Sequence, residues 1–76
     1  MEKLSVYKAS MTENECFEMR VDNCRKLLSA IGKEVTKEKN SKNKKDWSCA
    51  GSMNHVQEIL ENAYRFIANI NDNEEL

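Results

Sequence analysis

The side chains with the means for chemistry are three thiols, one imidazole and a run of lysines beside the lone tryptophan. They are Cys16, Cys24, Cys49, His55, and Lys37, Lys39, Lys42, Lys44 and Lys45 ahead of Trp47. A zinc site asks for about four ligands converging within ~2.3 Å of one point, usually supplied by pairs two to four residues apart. The cysteines stand singly and form no such pair, so neither a metal nor a cofactor is expected. Cys24 fits a helical apolar stripe and reads as a small buried residue. Cys49 falls in the first turn of the second predicted helix, where the helix dipole can acidify a thiol. A thiol or redox role for Cys49 is therefore one reading. It lacks an adjacent base, because His55 lies two turns further on.

His55 has Asn54 and Glu58 close by, but acid–base catalysis needs a partner group and a pocket. The chain offers no Gly-rich phosphate loop, no paired carboxylates and no Ser/His/Asp constellation. A non-enzyme is expected. The lysines make the more suggestive cluster. Clustered ammonium groups neutralise phosphates, and an aromatic such as Trp47 can stack on a base. RNA, DNA or a nucleotide phosphate is thus a candidate ligand for Lys37, Lys39, Lys42, Lys44 and Lys45. The competing reading is a solvated linker, and this stretch has no arginine for bidentate contacts.

The elements that must position these groups are two amphipathic segments. Cys49, Met53, Val56, Leu60, Ala63, Ile67 and Ile70 recur in steps of four and three, the spacing of one helical stripe. Ile59, Ala63, Phe66 and Ile70 form a second row beside it, and Tyr64 borders the other edge. The combined apolar face covers roughly 150° at 100° per residue, wider than one partner helix requires. Trp47 lies about 120° from Met53 and reads either as an interface anchor or as packing beneath the loop.

The first segment starts at Thr12, where Thr12 and Glu15 make a T-x-x-E capping box. Phe17, Val21, Cys24, Leu28 and Ile31 then repeat in steps of four and three, widened by Leu27 and Ala30. Gly32 reads as the stop. This predicts an N-terminal arm over 1–11, helix 1 over 12–32, a Lys-rich connector over 33–46, helix 2 over 47–70 and an acidic tail over 71–76. The arm reads as irregular or briefly helical, with a short strand as the alternative. The connector holds six lysines, two glutamates and one apolar residue, Val35. Asp46 is the expected N-cap of helix 2.

The fold class that follows is all-α: a single domain forming an antiparallel helical hairpin with a short N-terminal arm. A chain of 76 residues with 39% apolar content has little core of its own. The broad faces therefore predict a dimeric four-helix bundle or a higher helical oligomer. In a hairpin, Cys49 would sit beside Ile31, about 22 Å along the axis from Cys16, too far to share a metal.

With 33% charged residues and a net charge of −1, no global field draws the chain onto nucleic acid or a membrane. No apolar run approaches the ~18 residues of a membrane span. The N-terminus lacks a signal-peptide pattern, and the odd number of cysteines argues against a disulfide framework. A cytoplasmic setting is expected. The functional expectation is a non-enzymatic, homo-oligomeric helical protein that binds a partner protein as a regulator or inhibitor, of a size that suits bacteria or phage. Ile59, Ala63, Phe66, Ile70 and Trp47 are its expected interface residues.

Overall fold

A computed structural model describes residues 2–41 and 45–74. Among the described residues there are two helices and no strand, so the fold is all-α. They are α1, Glu13–Asn40, and α2, Trp47–Glu74. The chain divides into two compact units, Met1–Lys42 and Asn43–Leu76, each described by itself.

The capping box starts α1 where the sequence places it. Thr12 is extended (φ −75°, ψ 166°), and its Oγ1 accepts the Glu15 N–H at 3.1 Å. Glu15 Oε1 accepts the Thr12 N–H in return at 3.3 Å. Glu13 and Glu15 sit in the first turn, where the dipole favours negative charge.

The expected stop at Gly32 does not occur, because α1 runs on to Asn40. Gly32 has no positive φ and sits as an ordinary helical residue. An interior glycine costs about 1 kcal/mol relative to alanine, which weakens a helix without ending it. The residues after it support continuation. Glu34 and Lys37 pair at 3.3 Å across one turn, and Thr36 Oγ1 donates to the Gly32 carbonyl at 2.9 Å. Lys37 and Lys39 lie in the last turn, where positive charge suits the dipole. The helix closes at Ser41, whose N–H donates to the Glu38 carbonyl at 3.3 Å. Most of the expected connector is therefore the last two turns of α1.

The N-terminal arm is neither helix nor strand up to a turn near residues 8–11, closed by the Met11 N–H donating to the Lys8 carbonyl at 2.9 Å. From that turn the arm runs back along α1. The Ser5 N–H donates to Asn23 Oδ1 at 3.0 Å, and Asn23 Nδ2 donates to the Ser5 carbonyl at 2.9 Å. Glu2 reaches the level of Lys26, Ala30 and Lys33. A lone extended segment must find partners for its main-chain groups. Here one side-chain amide supplies both.

That pairing moves the core. Among the described residues, Met19 at 8% exposure and Asn23 at 7% are the buried ones. Cys16, Lys26 and Ala30 are half-buried along the same face, with Leu4 and Met11 from the arm side. The stripe expected to form the core is largely bare: Phe17 and Leu28 are well exposed, Cys24 is exposed, and only Val21 and Ile31 are half-buried. The two faces lie about 140° apart at 100° per residue. The physical reason is hydrogen bonding. An aliphatic stripe would leave the arm's N–H and C=O groups unpaired on that side, whereas Asn23 offers a donor and an acceptor together.

In the second unit, Asp46 caps α2 as expected. Its Oδ1 accepts the Cys49 N–H at 3.0 Å and its carbonyl accepts the Ala50 N–H at 3.1 Å. The Cys49 N–H foremost, then the Cys49 thiol and the Ser48 and Asp46 N–H groups, hold the Asp46 carboxyl below its ordinary value of 3.8 against a small opposing effect of burial. The helix passes through Asn71 and Asp72 to Glu74 rather than ending at Ile70. No glycine or proline stands there to force an exit, and asparagine and aspartate are merely weak helix formers.

Candidate interaction surface

On α2, the apolar stripe resolves into three heptads. Met53, Leu60 and Ile67 take the a positions, and Cys49, Val56, Ala63 and Ile70 take d. Ile59 and Phe66 fall at g, with Gln57 and Tyr64 at e. A two-stranded coiled coil is sealed by a and d, and its e and g positions usually carry charge. Here those flanks are aliphatic, aromatic or neutral. The helix accordingly presents an apolar band wider than one neighbour can cover.

The predicted row of Ile59, Ala63, Phe66 and Ile70 does fall on one side of α2, spanning about 16 Å at 1.5 Å per residue. Ile59 is 54% exposed, Phe66 is 71% exposed, Ala63 is exposed and Ile70 is half-buried. Ile67 and Tyr64 are exposed as well. The opposite face is polar and bonded along the helix itself. Asn54 donates to Glu58 at 3.1 Å, Arg65 meets Glu61 at 3.6 Å, and Gln57 donates to Glu61 at 2.8 Å from the edge of the band. Trp47 does not join the row. It stands at the start of α2, 91% exposed, about 18 Å along the axis from Ile59.

On α1 the stripe of Phe17, Val21, Cys24, Leu28 and Ile31 gains one further member, Val35, because the helix continues through Gly32. It too keeps heptad spacing, on the side of α1 away from the arm.

Of the predicted lysines, Lys37 and Lys39 belong to α1. Lys37 is paired with Glu34, and Lys39 lies about 200° around the helix from Lys37, so the two face different directions. Lys45 is exposed just ahead of α2. Lys42 and Lys44 lie outside the described residues. Cys16 and Cys49 are half-buried, Cys24 is exposed, and all three are free thiols. His55 is exposed on α2. Among the described residues no group of three histidine, cysteine or carboxylate side chains could hold a metal. No helix among them is long and apolar enough to cross a membrane.

Asn23 is the residue that pattern reading overlooked. Its signal was faint but present: Cys16, Met19 and Ala30 mark a second, incomplete apolar row, with Asn23 at its centre. Comparison with protein-family models, with curated proteins and with solved structures finds no match.

Proposed function

We propose that this chain is a small non-enzymatic helical protein that acts by helix–helix association in the cytoplasm, first with copies of itself and then with a partner protein that it regulates or inhibits. In this reading α1 and α2 close as an antiparallel hairpin, and two hairpins join their heptad faces as a four-helix bundle. The observation that carries the reading is the exposed band of Ile59, Phe66, Ile67 and Tyr64 on α2. A 28-residue helix gains most of its stability in water from packing an apolar face, and this one leaves its face open in the single chain. An amphipathic helix laid against other helices is a recurrent mode of protein recognition, with anchors at the spacing seen here.

Sedimentation equilibrium of the parent and of an Ile59→Lys, Phe66→Lys variant tests the proposal. The parent is expected to assemble at tens of micromolar, with a mass that is a multiple of 8.8 kDa. The variant is expected to shift towards the monomer. An 8.8 kDa parent at high micromolar concentration refutes self-association. Affinity capture from the native host with both chains tests the partner. Recovery of the same proteins by the doubly substituted chain would remove this face from partner binding.

A further inference from the structure

Asn23 clamps the arm on one side of α1 through its two bonds to Ser5, and the heptad stripe on the other side stays uncovered by it. Phe17 is 66% exposed and Leu28 62%, with Leu27 at 38% and Val35 at 37%. Because α1 continues through Gly32, the stripe runs from Phe17 to Val35, about 27 Å at 1.5 Å per residue. The same continuation adds Glu34 to the flank of the stripe. Arg20, Leu27 and Glu34 then form one row at heptad spacing, positive at one end, apolar in the middle and negative at the other.

That row is complementary to its own reversal. A two-fold axis through the level of Leu27 sets Arg20 against Glu34 of a second copy, and Glu34 against its Arg20. The two Leu27 side chains meet between these pairs. Both charged groups are exposed, and Arg20 makes no ion pair among the described residues. Glu34 meets Lys37 at 3.3 Å, an exposed pair of little worth in water, so its carboxylate can be shared. The flank on the other side of the stripe, Glu18, Arg25 and Gly32, lacks this symmetry. In a bundle it turns towards a different neighbour.

The apolar layers agree with the charges to within one residue of rise. An antiparallel register that faces a with d places Phe17 opposite Val35, Val21 opposite Ile31 and Cys24 opposite Leu28. Each layer joins a larger side chain to a smaller one, so none is doubly crowded or doubly hollow. A parallel pair would set each residue on itself, Phe17 on Phe17 and Cys24 on Cys24. It would also bring Glu13 beside Glu18, and Arg20 beside Arg25, of the other copy. Those contacts are like-charged, against one opposite-charged contact of Glu34 with Lys39.

We infer that the α1 stripe is a docking surface for α1 of a second copy, laid antiparallel about Leu27 with Arg20 and Glu34 paired across the contact. The inference rests on the self-association proposed above and names which helices meet and in which direction.

Charge reversal in the full-length chain tests it, read by sedimentation equilibrium at low salt, where such pairs count. Arg20→Glu alone and Glu34→Arg alone each turn two attractions into two repulsions. Each is expected to weaken self-association about tenfold. An equimolar mixture of the two variants restores opposite charges at both contacts and is expected to associate as tightly as the parent. If Glu34→Arg loses helical circular dichroism, adding Lys37→Glu restores the pair within that turn. Tighter association of Arg20→Glu would mean that residue 20 meets Arg25, as in a parallel pair, and overturns the proposal. Unchanged single variants, or a mixture no tighter than its components, overturn it too, and then another helix or a different partner covers the stripe. A parent that assembles while these variants behave alike defeats the α1 pairing alone, whereas a monomeric parent defeats the self-association as well.

Discussion

Within a single chain, replacing Asn23 by alanine should separate the arm from the helix it lies on. The two bonds that Asn23 makes with Ser5 are well formed, at 3.0 and 2.9 Å. Each such bond contributes about 1 kcal/mol net. Losing both lowers the docked state by about 2 kcal/mol, or roughly thirtyfold in the ratio of docked to open arm. The helix itself moves the other way, since alanine is favoured over asparagine by roughly 0.6 kcal/mol in a helix interior. Hydrogen exchange read by NMR in dilute solution follows both effects at once. The Ser5 amide should lose about thirtyfold in protection, while amides of α1 around Met19 and Asn23 hold theirs or gain. Unchanged protection at Ser5 would refute the clamp. Parallel loss of protection along α1 would show instead that Asn23 supports the helix rather than the arm.

Three further outcomes follow from the same geometry. Gly32→Ala should raise the stability of α1 by about 1 kcal/mol, because Gly32 is helical and a Cβ there meets nothing within 4 Å; a lower melting temperature would show that the glycine is needed as such. Asp46 makes α2 sensitive to acid. Its carboxyl is held below 3.8 in the folded chain, so its support is present above that value and is lost as pH falls through the lowered folded value. The helical signal of the parent should therefore drop on acidification below about pH 4 by more than that of Asp46→Asn, and equal curves would remove the cap from the argument. Lysine at Ile59 and Phe66 should reduce assembled mass at a given concentration, as set out above, and the same substitutions at the polar positions Glu58 and Asn62 should leave it unchanged.

The helix starts and the periodicity of α2 were legible in the sequence because their causes are local. A Thr12–Glu15 capping box and an Asp46 cap satisfy free amides within one turn, and apolar residues spaced by three and four need no knowledge of the rest of the chain. The helix ends were less legible. Gly32 and Asn71–Asp72 are exits only when the chain adopts a non-helical conformation there. Pairs such as Glu34–Lys37, with no glycine or proline beyond Ile70, let both helices continue.

What only the tertiary structure decided is which side of α1 is covered. By hydrophobicity alone, Phe17, Val21, Cys24 and Leu28 form the better face, and they stay largely open. Burial instead follows the arm, and the arm goes where its main chain can be paired. One amide, Asn23, matches both polar groups of Ser5 across eighteen residues of sequence. A hydrophobic pattern records where oil-like surface lies along a helix, but it carries no term for the backbone of a distant extended segment. That hydrogen-bonding demand placed the small core of this unit at Met19 and Asn23, and left most of the α1 stripe as open surface.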